Sequence, residues 1–574
     1  MKSMLNLWKN ESIKLFCQTA NRVILIITLV LSVLLPVAVS AISNLSEDDY
    51  FIHEDYRDMA EDTPDYADKV YFLAMADVYE FFENGEIPDW KKQEYYSEYQ
   101  NAVLKKYVCE GVINGRIDAE TACNYYPELF YGGYEIYYGN DDGIYVQDAT
   151  LDETEDAITP EEIDFEGSLK EAEESMAQLE KQITEESFTQ YASNSSESAK
   201  LQLKDAKLLL KEVGTDFDAG NATLGELNSQ KLTVEDLEFT VNIYEAMSDA
   251  SEKNEAWMMK TVLNVLPWVR NQLVSNFIVD EEEYLSELSE YNDTTYGEYV
   301  ENCKKEQGFA REALITIQYA FENEIPLPQV YENSTKSVVL TSLSGFASVI
   351  ILVMVILTAN TVAGEYSQGT VRLLLIRPRT RIKIIFSKFL ALFTTGAAVS
   401  VLSYLVIYLT SIIINGVGDA FASDLMYSSH VIEIAPVLYS GLKYFLSIFS
   451  GILLIAFAFL MAVVTKKAML SILLPLIISF SSFVIQILSV VLIDKYPFVK
   501  FTVMPYLDLG NYLSSPIARY TGDSSIVDAV FGGVSELFMS AGINLILGII
   551  IIAVYILVLF TVSFAVFRKQ QIKS

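Results

Sequence analysis

Histidine is nearly absent from this sequence: His53 and His430 are its only two in 574 residues. Cysteine is almost as scarce, with Cys17, Cys109, Cys123 and Cys303. No Cys/His group has zinc spacing, so a zinc site is not expected. A G-x-x-x-x-G-K-[ST] phosphate loop is missing, so the chain does not itself bind ATP in the P-loop manner. Neither a G-x-S-x-G elbow nor H-E-x-x-H is present. Gly416-Val-Gly418-Asp419 matches the G-x-G-D of intramembrane aspartyl proteases, whose two carboxylates share a proton. Asp419 falls beyond the end of a hydrophobic run, and none of the runs contains a second Asp. The chain is therefore not expected to be an enzyme.

Charge is missing in an organised way. Only 20% of residues are charged, against 51% hydrophobic. Between residues 47 and 335 (335 − 47 + 1 = 289) there are 66 acids and 20 bases, a balance of −46. The remainder has 76 − 66 = 10 acids and 40 − 20 = 20 bases, or +10. A surface of −46 would repel phosphates, so nucleic acid is not an expected partner.

Six runs of low charge are long enough to span a bilayer, which takes about 20 apolar residues as a helix. They cover 23–43, 338–363, 389–414, 437–464, 469–493 and 543–567. Lys2, Lys9, Lys14 and Arg22 precede the first run; Glu47, Asp48 and Asp49 follow it. The positive-inside rule then puts the N-terminus in the cytoplasm. Alternation leaves three more inner segments: 365–388, Lys466-Lys467, and the tail with Arg568, Lys569 and Lys573. All are net basic. Val39-Ser40-Ala41 resembles a signal-peptidase site, but the run exceeds a signal h-region of about 7–15 residues, which favours an uncleaved anchor. The expected product is an α-helical polytopic protein of the cell membrane, with both termini cytoplasmic. Its parts are a cytoplasmic amphipathic helix (1–22), a first span (23–46), an acidic, mainly helical extracellular domain (47–335) and five further spans (336–574).

Within the acidic domain, Leu169, Ala172, Met176, Leu179 and Ile183 follow 3-4-3-4 spacing, and Leu203, Ala206, Leu210 and Val213 resume it. With the polar stretch 190–198 between them, this predicts an antiparallel helical hairpin with an apolar seam. Thr233 and Asp236 resemble a capping box opening a helix toward Arg270. The Tyr- and Gly-rich 125–145 stretch predicts a β-hairpin. Asp141, Asp142 and Asp148 lack calcium-loop spacing, so no metal is assigned. Cys109 and Cys123 are close enough to close a short disulfide loop; two buried thiols are the alternative. The fifth span carries Pro475, Ser479, Ser482, Gln486 and Ser489 on one face, which suits a translocation path, a dimer seam or close helix packing.

The segment between the second and third spans is the most informative. Glu365 ends one helix, Gly369 permits a turn, and Thr370 can cap a short helix that Pro378 ends. Arg372 and Arg377 would sit at headgroups. The pattern E-Y-x-x-G-T-x-x-x-L-L-x-x-P-x-x-R resembles the signature loop of the permeases of type-2 ABC exporters. It matches at Glu365, Gly369, Thr370, Leu374, Pro378, Arg381 and Lys388. The N-terminal segment with Trp8, Lys9, Glu11 and Lys14 is similar to that family's connecting helix, and 494–541 to its outer re-entrant region. A large domain after the first span is similar to the sodium-exporter-like branch.

The resemblance implies a permease subunit that acts as a homodimer or pseudo-dimer in the lipid bilayer. An ABC ATPase subunit in trans would bind ATP and Mg; this chain would bind no cofactor. The loop 364–388 would be the coupling loop, with Arg381 and Lys388 anchoring it to anionic headgroups. The exported substrate is not named by the sequence; cationic peptides, including antimicrobial ones, would suit the acidic domain. The competing reading is a non-transporting scaffold, similar to phage-infection and secretion-accessory membrane proteins, with no ATPase.

Overall fold

The computed structural model describes residues 2–45, 53–83, 87–130, 134–138, 144–148, 163–289, 294–327, 335–367, 381–417, 420–427, 429–513, 515–517, 520 and 545–569. Gly369, Thr370, Leu374 and Pro378 lie outside the described residues, as do Asp141 and Asp142. Arg381 opens a helix, but its side chain is not among those described.

The chain divides into two compact units, one of 1–46, 198–250 and 264–574, the other of 47–197 and 251–263. The acidic stretch expected as one domain is thus shared between them.

The first unit begins with α1 (Lys2–Cys17) and α2 (Thr19–Leu45). Arg22 donates to the carbonyl oxygens of Phe16 and Cys17, and Asn21 to that of Leu15. These bonds satisfy carbonyls that the end of α1 leaves open, and so fix the elbow between the two helices. Later come α15 (Thr335–Ser367), α16 (Arg381–Asn415), α17 (Pro436–Thr465), α18 (Ala468–Lys495) and α19 (Leu545–Lys569). With α2 they are, among the described residues, the six helices long and apolar enough to cross a membrane, and their apolar windows fall within a few residues of the expected runs. The protein is an α-helical polytopic membrane protein.

The pair α15–α17 forms the middle of this helical group. A Cβ on Gly451 would collide with the Ile351 side chain, so glycine is what lets the two helices approach this closely. Lys466 takes a left-handed φ of 58° and caps α17, allowing α18 to begin at Ala468. Between α16 and α17 an antiparallel hairpin pairs Asp424–Tyr427 with Val431–Ile434. After α18, three 3-10 turns (Pro497–Phe501, Met504–Tyr506, Gly510–Tyr512) occupy the described part of the expected re-entrant region. Tyr506 and Leu509 are fully buried there with Ile551 and Ile552.

Other helices of this unit are α10 (Leu224–Asp249), α12 (Leu266–Ser275), the short α13 (Glu281–Glu283) and α14 (Tyr296–Glu322), together with residues 198–219 of α9 (Phe188–Ala219). Here two expectations are corrected. The polar stretch 190–198 is helix, because α9 starts at Phe188 and Ser187 caps it by accepting from the Gln190 N–H. The seam residues Leu203, Ala206 and Leu210 pack on Val234 and Leu237 of α10. Thr233 and Asp236 lie inside α10, whose capping box is Thr223 with Glu226. Asp236 instead pairs side-on with Arg270, at 2.8–3.0 Å.

The second unit contains α3 (His53–Asp62), α4 (Tyr66–Glu83), α5 (Asp89–Ile113), α6 (Ala119–Tyr125), α7 (Pro127–Phe130), α8 (Phe165–Glu185) and α11 (Glu255–Asn264). Within it α5 packs on α4 and α8. The expected hairpin is present, pairing Tyr134–Tyr138 with Ile144–Asp148. Cys109 and Cys123 are buried thiols and not the halves of a disulfide. Burial pushes the Cys109 thiol up to about 11, leaving it protonated and inert at neutral pH.

The tyrosines of this unit have a defined task. Tyr191 donates to Glu94 at 3.0 Å, Tyr99 to Glu180 at 2.9 Å, and Tyr95 and Tyr107 to Glu186 and Asp77. Glu186 is buried. A phenol supplies the hydrogen bond a buried carboxylate needs without adding a cation.

Candidate functional site

On α1 the residues Leu7, Glu11 and Leu15 are buried, and their spacing of four puts them on one face. A carboxylate between two leucines on a buried stripe requires a partner. That partner is Lys388, on the first turns of α16. Its Nζ lies 2.8 Å from Glu11 Oε2 and 2.6 Å from Glu365 Oε1, near the end of α15. Lys14 completes the group, 3.1 Å from Glu11 and 3.6 Å from Glu365. Burial alone would raise the Glu11 carboxyl; Lys388, and then Lys14, outweigh it and hold the pKa below the ordinary value. Two acids and two bases thus make a neutral cluster joining three helices. Trp8 adds a second tie, its Nε1–H donating to Thr394 Oγ1 of α16 at 3.1 Å.

This corrects the expectation for Lys388. It is buried at 6% side-chain exposure, so it holds α1 and α15 and does not reach headgroups. The sequence had set Glu11 and Lys388 in different segments. The leucine spacing around Glu11 marks that carboxylate as interior but does not name its partner. Lys9, by contrast, is exposed. Glu365 and Lys388 bracket the loop, and their contact fixes its two ends; Lys466 stands 5.8 Å from the ring of the adjacent Tyr366.

The opposite end of α15 carries a second buried pair. Lys336 Nζ lies 3.3 Å from Asp424 Oδ1, both side chains 5% exposed or less, and also donates to the Ser423 carbonyl. Thr335 donates to the Gly416 carbonyl. The second span is therefore tied at each end by an ion pair to a buried lysine.

The polar stripe of α18 faces its own chain. Gln486 donates to the carbonyl oxygens of Pro505 and Asp508 at 2.8 and 2.9 Å. Pro475 and Ser489 are buried, and Ser479 and Ser482 are half-buried. At Gln486 this is packing: the amide holds the 3-10 turns in place. Asp508 accepts from Ser447 and from the Gly510 N–H, and burial raises its pKa. Among the described residues, no group of His, Cys, Asp and Glu could hold a metal ion.

A helical membrane protein with its first amphipathic helix bolted to the second and third spans is the class this geometry defines. A protein family of unknown function, DUF2705, matches residues 304–572. The match contains Glu365 and Lys388 but begins well after Glu11 and Lys14. The chain is also similar to the uncharacterized protein YhcI of Bacillus subtilis (strain 168), 22% identical over 330 residues, or 55% of this chain and 94% of the relative. No solved structure matches.

Proposed function

We infer that this chain is the membrane-spanning permease subunit of an ABC exporter, and that the Glu11–Lys388–Glu365 cluster is the joint through which a separate ATPase moves the spans. The observation that carries the reading is the position of Lys388. It links the N-terminal helix to both flanks of the loop that resembles the exporter signature. A push on that loop or on α1 reaches α15 and α16 together, because a lysine shared by two carboxylates resists separation from either. The basic segments around the loop, at Lys466-Lys467 and in the tail support a cytoplasmic face there, with the acidic domain outside. ATP and Mg would be held by the partner, and two permeases would face each other in the bilayer.

The test is a reconstituted complex with an ABC ATPase that co-purifies with this chain. Glu365→Ala and Glu11→Ala should leave the complex assembled and lower transport per ATP hydrolysed at least tenfold. Transport and turnover equal to the parent protein in both variants would remove the joint. Failure of any ATPase to co-purify would favour the scaffold reading. Single cysteines near Gln368 should label only after permeabilisation, and those near Ser195 from outside; the reverse pattern would overturn the orientation.

A further inference from the structure

Within α9 one motif, Leu-x-Leu-Lys-acid, occurs twice at seven-residue spacing: Leu201-Gln202-Leu203-Lys204-Asp205 and Leu208-Leu209-Leu210-Lys211-Glu212. The third residue of each repeat, Leu203 or Leu210, packs on α10. The first, Leu201 or Leu208, is 60% exposed. On a helix of 3.6 residues per turn, the position three beyond such a leucine falls to one side of it and the position four beyond falls to the other. Each exposed leucine therefore has a lysine on one flank and an acid on the opposite flank. Lys200 and Lys207 are committed to α10, 2.8 Å from Glu245 and Glu238. Lys204, Asp205, Lys211 and Glu212 are exposed, and none of them is ion-paired among the described residues.

The charge pattern of this face fits an identical copy of itself. Two helices running parallel about a twofold axis set each leucine against its own counterpart and bring opposite flanks together. Lys204 then meets Asp205 of the second copy, and Lys211 meets Glu212 of the second copy. The heights agree, because adjacent residues differ by only about 1.5 Å of rise. By symmetry each pair forms twice. Antiparallel helices would set lysine flank against lysine flank, so charge selects the direction. The surrounding charge selects the place. Over 47–335 acids outnumber bases 66 to 20, so two copies repel across most of that surface. Residues 199–214 hold four bases and two acids, and there the repulsion is lifted. Two leucines a side bury too little area to join free proteins, which takes roughly 1,000 Å². Chains already associated through their spans offer this face at an effective concentration on the order of mM, at which a weak contact closes.

We propose that α9 pairs in parallel with α9 of a second copy of this chain, through Leu201 and Leu208 flanked by crossed lysine–acid pairs. This rests on the reading that two permeases associate, and it adds a contact outside the spanning helices that selects an identical partner.

The test uses the full chain in nanodiscs, with the exposed Cys17 replaced by alanine. Light scattering counts the copies per disc, and a mild oxidant cross-links introduced cysteines. Two copies per disc are expected. Leu201→Cys and Leu208→Cys should each link to its own counterpart, whereas Lys231→Cys, exposed on α10, should not. In the Leu208→Cys chain, Lys204→Glu with Lys211→Glu should slow linking about tenfold, since four exposed pairs become repulsions. Adding Asp205→Lys and Glu212→Lys should restore the rate. One copy per disc would overturn the paired-permease reading and this contact together. Two copies with no link at either leucine would overturn the contact alone. Linking at Lys231→Cys as fast as at Leu208→Cys would make it random collision. A rate indifferent to the charge changes would overturn the crossed pairs.

Discussion

The two units meet the same problem, a buried carboxylate, with different chemistry. Around α15 the acids Glu11, Glu365 and Asp424 are each met by a lysine, Lys388 or Lys336. In the second unit the buried Glu186 and the half-buried Glu180 and Glu94 are met by tyrosine hydroxyls. The difference follows from surroundings. Among apolar helices an unneutralised charge is far more expensive than a hydrogen bond can offset. In the second unit, with 42 acids against 11 bases over 47–197 and 251–263, water carries most of the charge, and a neutral donor suffices for the rest. It also explains why an acidic domain is so rich in tyrosine.

The largest test of this contrast is Lys388→Met. It strands Glu11 and Glu365 together in a buried setting, and the expected loss is about 3–5 kcal/mol. Thermal unfolding of the full chain in nanodiscs should show a marked fall in Tm. Adding Glu11→Gln and Glu365→Gln should recover most of it, since the penalty belongs to uncompensated charge. A parent-like Tm for Lys388→Met alone would show that the cluster is not holding these helices.

Lys336→Met isolates one acid instead of two. The loss should fall near the low end of that range, about 3 kcal/mol, and Asp424→Asn in the same chain should offset it. A double-mutant cycle across Lys336 and Asp424 would measure the coupling directly. Absence of coupling would make the pair incidental.

Tyr95→Phe removes only a hydroxyl. Glu186 keeps the Asn194 donor at 3.1 Å, so the expected cost is about 1–2 kcal/mol. Proteolysis of the second unit should report it, and a loss as large as that of Lys388→Met would erase the distinction between the two regions.

The smallest effect at any single site is the pH dependence. Burial, followed by the adjacent carboxylates, raises the pKa of Tyr95, Tyr99 and Tyr107. A raised phenol stabilises the fold in its protonated form. That contribution is complete below the unfolded value of about 10 and is lost as pH rises above it toward the higher folded values. Glu11 has the opposite sign: its lowered pKa contributes above the ordinary carboxylate value, about 4.3, and is lost as pH falls through the folded one. Tyrosinate absorbance should therefore rise together with unfolding under alkali, not ahead of it.

Much of this molecule was legible before folding was considered. The six spans, the helical character of the acidic stretch and the β-hairpin all follow from local pattern, because a run of about 20 apolar residues has few alternatives in a bilayer. Local pattern misled where two signals competed. The polar stretch 190–198 was expected as a turn, yet polar residues on a solvated helix face look no different in sequence. Thr233-x-x-Asp236 copied the form of a capping box, while Thr223-x-x-Glu226 had the longer acid that reaches back to the cap.

The sequence by itself determined that this protein lies in a membrane, how many helices can cross it, and which acids and bases were available. Only the tertiary structure decided which of them meet. Glu11 and Lys388 are 377 positions apart, and no periodicity reaches that far. Hydrophobicity is a property each residue brings with it, whereas a partner for a buried charge is supplied only by the packing of distant segments.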